Sequence, residues 1–190
     1  MKLFKIARPI IVLVLAVSVS GCPKTMVDRA IEARSVRDIA KDNEIVLKTN
    51  AVMADLGVLN AATTVYEQRL LITGLFEDKA LYDHFKSSIQ NLEGVRTLCW
   101  HVAYLNPNEQ RKRERLLSWD DVLVLATKAE GRLIATRGVA DVNFRVAADA
   151  FGAVYLMGRA RSQEELDKAV ARVRDGEGVR KLVNYAFVRP

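Results

Sequence analysis

Few side chains in this 190-residue chain could do covalent or metal chemistry: two histidines and two cysteines. His84 and His101 stand in no spacing that ligates a metal or activates a nucleophile. Cys99 lies in the apolar run "LCWHVAY" (98–104), where a thiol acts as a small buried hydrophobe. No catalytic residue, metal or cofactor is therefore expected. A different chemistry is written in "SWDDVLVLATKAEGRLI" (118–134). Val122, Leu123, Val124 and Leu125 are apolar around a whole helical turn, more than one buried stripe requires, so part of that turn is expected to face outward. Val124, Lys128 and Arg132 then follow at steps of four, carrying one helical stripe from aliphatic carbon into two cations. Such a stripe can place carbon among acyl chains while ammonium and guanidinium meet phosphate. On the residues alone, solvated cations above an apolar turn that belongs to the core fit as well; on the lipid reading, Val122, Val124, Leu125, Lys128 and Arg132 are the candidate phospholipid contacts.

The other notable cysteine closes the amino-terminal segment. Lys2, Lys5 and Arg8 make a positive start, residues 10–19 are almost continuously apolar, and residues 18–21 are mostly small. This is the layout of an export leader, too short to cross a bilayer, which takes about 20 apolar residues. The run ends in "VSGC" (19–22), which resembles the lipobox of bacterial lipoproteins. That resemblance implies a signal peptide over residues 1–21, cleavage before Cys22, and acylation, palmitate included, of Cys22. Pro23 stands where aspartate would mark retention at the inner membrane, so the resemblance implies the outer membrane, periplasmic face. With Cys22 acylated, Cys99 has no disulfide partner in the chain.

Hydrophobic residues make up 50% and charged residues 27%, as in an ordinary folded protein, and 10 glycines with 4 prolines exclude collagenous or low-complexity classes. The net charge of +6 points to acidic partners; losing Lys2, Lys5 and Arg8 with the leader lowers it to +3. For an exported protein this favours an anionic membrane or acidic protein and excludes nucleic acid.

The elements that must position the candidate helix follow from a repeat. "EGVR" occurs at 93–96 and 177–180, and in that register Gly74 aligns with Gly158, Asp83 with Asp167, Ile89 with Val173 and Leu98 with Leu182. Strand runs "ATTVY" (62–66) and "RLLITG" (69–74), the latter ending in glycine, precede a helical segment at 78–92. Their counterparts are "VNFRVA" (142–147), "GAVYLMG" (152–158) and a helical segment at 162–175, where Ser162 and Glu165 form a capping box. Further helices are expected at 42–56 and 118–134. Gly94 and Gly178 end helices in the left-handed conformation, and Val95 and Val179 turn inward as the next strand starts. Each unit thus reads helix, strand, strand, helix, strand. Two helices cover one face of a three-stranded sheet, giving an α+β, two-layer sandwich.

This order, with glycine in the second strand and "GV" opening the third, resembles the BON domain. Two such units behind a lipobox resemble the dual-BON outer-membrane lipoprotein family of the DolP/YraP type, as do "ARSVRD" (33–38), "VYLMG" (154–158) and "GVRKLVNYAFV" (178–188). The resemblance implies a tether at 22–36, BON domain 1 at 37–105, a basic linker at 106–117 and BON domain 2 at 118–190, each with a mixed sheet. It also implies a monomeric, non-enzymatic lipoprotein that supports outer-membrane integrity. Its second BON domain binds anionic phospholipid through the first helix, and members associate with the outer-membrane protein assembly machinery and division sites. Val124 aligns with an aromatic membrane-facing position of that family, and Trp119, about 140° around the helix, does not replace it. The alternative is a protein-interaction adaptor that docks an envelope assembly complex through Tyr185 and Phe187 without direct lipid recognition. Packing of that face on the first unit is the favoured expectation. The run Arg111, Lys112, Arg113 and Arg115 is expected to be a solvated tether.

Overall fold

The computed structural model describes residues 32–106, 108–109 and 113–189; the leader, Cys22, Arg111 and Lys112 lie outside them. Helix α1 (Val36–Asp55) starts six residues before the expected position because Ser35 caps it. The Ser35 hydroxyl accepts the Asp38 N–H at 3.1 Å and donates to the Asp38 carboxylate at 2.7 Å. Strands β1 (Ala61–Tyr66) and β2 (Arg69–Phe76), helix α2 (Lys79–Gln90) and strand β3 (Thr97–Tyr104) complete the first unit. The second comprises α3 (Trp119–Ile134), a 3-10 turn (Asp141–Asn143), β4 (Phe144–Ala148), β5 (Ala153–Ala160), α4 (Gln163–Arg174) and β6 (Lys181–Val188).

The class is α+β: two three-stranded mixed sheets and four helices. The sheets are ordered β1-β2-β3 and β4-β5-β6, each with an antiparallel first pair and a parallel second pair. One face of each sheet carries its two helices. Leu70, Ile72, Phe85 and Ile89 centre the first core, and Val154, Leu156, Leu133 and Val173 the second. The other two faces pack on each other through Leu71, Cys99, Tyr155 and Met157, with Val183 and Tyr185 beside them. Central strands β2 and β5 are consequently buried on both sides, which is why they read as continuous apolar runs. The contact is nearly two-fold. Leu71 and Tyr155, Cys99 and Val183, and His101 and Tyr185 are pairs of repeat equivalents, all at this junction.

Two local expectations need correction. Neither second strand ends at its glycine; both continue two residues further. A Cβ on Gly74 would lie 2.8 Å from the Asn60 carbonyl oxygen and one on Gly158 would collide with the Asn143 carbonyl, so these glycines admit the start of the neighbouring strand. The capping box of α4 is half formed: Ser162 accepts the Glu165 N–H at 3.2 Å, but the Glu165 carboxylate takes the N–H groups of Arg161 and Ala140. As expected, Tyr185 and Phe187 face the first unit: Arg69 donates to the Tyr185 carbonyl at 2.7 Å and lies 4.8 Å from the Phe187 ring centre.

At the repeated joint, Gly94 and Gly178 adopt φ of 90° and 83°. The glutamate before each glycine reaches the first helix of its unit, Glu93 to Lys48 at 2.9 Å and Glu177 to Lys128 at 3.7 Å. "EGVR" therefore joins helix to strand and strand to first helix at once.

A polar clasp also ties the units. The Asp42 carboxylate accepts Glu67 N–H at 2.8 Å and Gln68 N–H at 2.7 Å, fixing the left-handed hairpin residues, and pairs with Arg34 at 2.5 Å. Arg34 also pairs with Glu32, which meets Arg145 of the second unit at 3.3 Å, while Asn143 and Arg159 hold the Ala33 backbone at 2.7 Å. The clasp covers the Tyr66 phenol, whose oxygen has no hydrogen-bond partner among the described residues; burial pushes its pKa up to about 12.

Candidate functional site

Helix α3 carries the candidate residues, and its cap sets where they point. Ser118 accepts the Asp121 N–H at 3.1 Å and donates to the Asp121 carboxylate at 2.6 Å, the same reciprocal pair as Ser35 and Asp38. Leu117 N–H bonds the Ala150 carbonyl at 2.8 Å and ties the helix entry to the β4–β5 turn. Among the described residues no helix is long and apolar enough to cross a membrane.

Val122, Leu125, Ala129 and Leu133 fill the second core. Their spacing of three, four and four marks one stripe, and its position corrects part of the expected contact set. Val122 and Leu125 were expected among the outward contacts; at 4% and 5% exposure they lie against β4, β5 and α4 instead. Val124 is outward at 50%, together with Leu123 at 49% and Ile134 at 52%, which the sequence reading did not select. Thr127 and exposed Gly131 continue the same side. The signal that could have found them is the core stripe itself: once residues 122, 125, 129 and 133 are assigned inward, the opposite side follows at about 100° per residue. The outcome is a solvent side that is apolar at Leu123 and Val124 near its start and at Ile134 at its end, with exposed Thr127 and Glu130 between them, on a helix whose inner face is already buried.

Cations rim this face on one side. Lys128 is exposed beside Glu177, and half-buried Arg132 donates to the Asp175 carbonyl at 3.3 Å. The last turn of α4 adds two more. Arg174 donates to the Asp175 carboxylate at 2.9 Å and Arg172 to the Thr136 hydroxyl at 3.2 Å. The Arg174 hydrogen bond holds the Asp175 carboxyl below the usual carboxylate range, and Arg132 and Arg172 add to this through their charges. Arg132, Arg172 and Arg174 thus converge on one acid. The α4 arginines were missed because they are 40 or more positions from Lys128 in the chain and meet it only when α3 and α4 pack side by side. At the other end Asp120 and Asp121 occupy the first turn of α3, so the face runs from acidic to basic along its length.

The sequence of residues 121–190 matches the BON domain family. A BON domain spans this part of the chain. Its matched region covers α3 from its first turn through β6, so the outward face of α3 is the outer face of the first helix of the BON domain. The chain resembles an uncharacterized protein in the gshII 5′ region of Anaplasma centrale, 29% identical over 151 residues, covering 78% of this chain and 95% of that protein. Among solved structures it is similar to CdsD, a structural protein of the type III secretion system of Chlamydia trachomatis, at 12% identity and a TM-score of 0.31, covering 77% of this chain and 93% of that one. A structure of the CdsD C-terminal domain gives 12% identity and a TM-score of 0.33 over 77% and 98%.

Proposed function

We propose that the BON domain presents α3 to an anionic phospholipid surface, as a non-catalytic membrane adaptor. The observation that carries this reading is the apolar outer face of α3, Leu123, Val124 and Ile134, bordered by Lys128 and Arg132. Burying the exposed half of three aliphatic side chains contributes about 1 kcal/mol each, by area. A basic group near an anionic surface adds roughly 1 kcal/mol. A few kcal/mol selects a surface without holding the protein on it. Holding falls to acyl chains on Cys22, at about 0.8 kcal/mol per buried methylene, with the chain facing the periplasm from the outer membrane and supporting its integrity. The first unit repeats the element order, the serine cap and the glutamate-to-helix contact of the second, and we read it as a diverged BON copy that fixes the orientation of α3. This amounts to the dual-BON lipoprotein type.

The test uses the chain carrying Cys22→Ser, so that acylation cannot anchor it. That protein should sediment with vesicles containing phosphatidylglycerol and release with salt. Leu123→Glu with Ile134→Glu should abolish sedimentation without lowering the unfolding temperature, because neither side chain is in the core. Undiminished sedimentation of that variant rejects the surface.

A further inference from the structure

A cavity of about 180 Å3 lies between the two units, at the entry to α3. One ordered water needs about 10–15 Å3, so the space suits a small molecule. Trp119 forms one wall at 36% exposure, and Leu75 and Ala148 supply apolar lining. Two buried polar side chains also line it. The first is Asp149, 8% exposed, whose carboxylate accepts Phe151 N–H at 2.9 Å, Ala153 N–H at 3.0 Å and the Tyr155 hydroxyl at 2.7 Å. All three donors are neutral, and among the described residues no lysine or arginine pairs with this acid. The second is Thr73, 1% exposed, whose hydroxyl has no hydrogen bond among the described residues. Glu77 at the mouth is already paired with Arg113 at 3.0 Å.

A cation brought beside a buried carboxylate that no lysine or arginine pairs gains a charge-assisted contact in a site shielded from water. An indole face attracts the same kind of ion. We propose that this cavity binds a small organic ammonium ion bearing a hydroxyl, of the choline or ethanolamine class. The nitrogen sits between the Trp119 ring and Asp149, and the hydroxyl takes the free Thr73 group. An inorganic cation would gain little from the indole and apolar walls. The site is separate from the outer face of α3, so it stands or falls independently of the lipid reading.

Choline chloride is the probe, and the indole N–H resonance of Trp119, assigned by its loss in Trp119→Phe, is the readout on the Cys22→Ser chain. A saturable shift is expected with choline and ethanolamine and none with sodium chloride. Thr73→Val, which keeps the shape and removes the hydroxyl, should weaken choline binding at least several-fold, and Asp149→Asn should abolish it. Vesicles of phosphatidylethanolamine, added to the Leu123→Glu, Ile134→Glu variant, distinguish sources. A Trp119 shift there assigns the ammonium to a lipid headgroup, and a shift with free choline alone assigns it to a soluble ligand. A non-saturable response, one that sodium chloride reproduces, or unchanged choline affinity in Thr73→Val overturns the proposal.

Discussion

The Tyr185 hydroxyl lies 2.6 Å from Nε2 of His101, and these two residues occupy the same position in the two copies of the repeat. The same strand face has thus been used twice, once from each side of a nearly two-fold junction. His101 also packs 4.4 Å from the Tyr155 ring centre, so an imidazole joins both sheets. A β3 position that looks like an isolated histidine in the sequence is the hub of the junction between the units.

Acid should therefore loosen this junction. Burial holds the His101 pKa below its usual value; Lys181 lowers it too, and Asp149 opposes them. Tyr155, Tyr185 and Cys99 also face the ring's surroundings, with burial pushing each of their pKa values up. When a folded-state pKa is depressed, the unfolded chain binds the proton first. The stability contributed by neutral His101 is then complete above the ordinary histidine pKa of about 6.5 and is lost as pH falls through it toward the folded value. The unfolding midpoint should drop between about pH 8 and about pH 5.5, and His101→Gln should flatten that part of the profile relative to the parent chain. A profile of equal slope in both proteins would remove His101 as the cause.

Two glycines should respond to alanine with opposite signs. A Cβ at Gly158 meets backbone, the Asn143 carbonyl and Phe144 Cα, at a φ of 143°, so Gly158→Ala should cost about 3 kcal/mol or more. Gly131, in the exposed face of α3, has nothing within 4 Å of its would-be Cβ, so Gly131→Ala should stabilise by about 0.5–1 kcal/mol through helix propensity. Urea denaturation of the two variants beside the parent chain measures both.

Asp42→Ala should be among the most damaging single changes. It takes from the buried Arg34 guanidinium one of its two carboxylates, leaving Glu32, and removes the acceptor of the Glu67 and Gln68 N–H groups. Breaking a buried pair in this way costs about 3–5 kcal/mol, a large fraction of a typical domain's stability. Hydrogen exchange should show the β1–β2 hairpin amides losing protection before those of β5. Equal loss in both strands would mean that Asp42 supports the whole fold and not the clasp.

The repeat and its element order were legible because they rest on local rules. Ser118 and Ser162 cap where serine caps, and Gly94 and Gly178 turn left-handed where a missing Cβ makes that cheap. The strand runs at 69–74 and 152–158 announced buried strands by their apolar continuity, although their ends were read two residues short. The start of α1 was missed because Ser35 lies in a stretch whose apolar spacing is poor, and only the Asp38 pair marks it as a cap. In α3, Lys128 and Val124 were legible as outward residues. Val122 and Leu125 were misplaced because four consecutive apolar residues carry no phase: any of them can face the core until the sheet beneath is known.

By itself, then, the sequence determined the duplication, the two-layer plan of each unit and the helix that carries the candidate surface, since turns, caps and hydrophobic period act over a few residues. Only the tertiary structure decided which side of α3 meets solvent, that Arg172 and Arg174 join its cationic rim, and that the bare faces of the two sheets close on each other through His101 and Tyr185. Those outcomes depend on contacts between residues far apart in the chain, whose geometry is set by the packing of whole elements and leaves no periodic mark in the order of the amino acids.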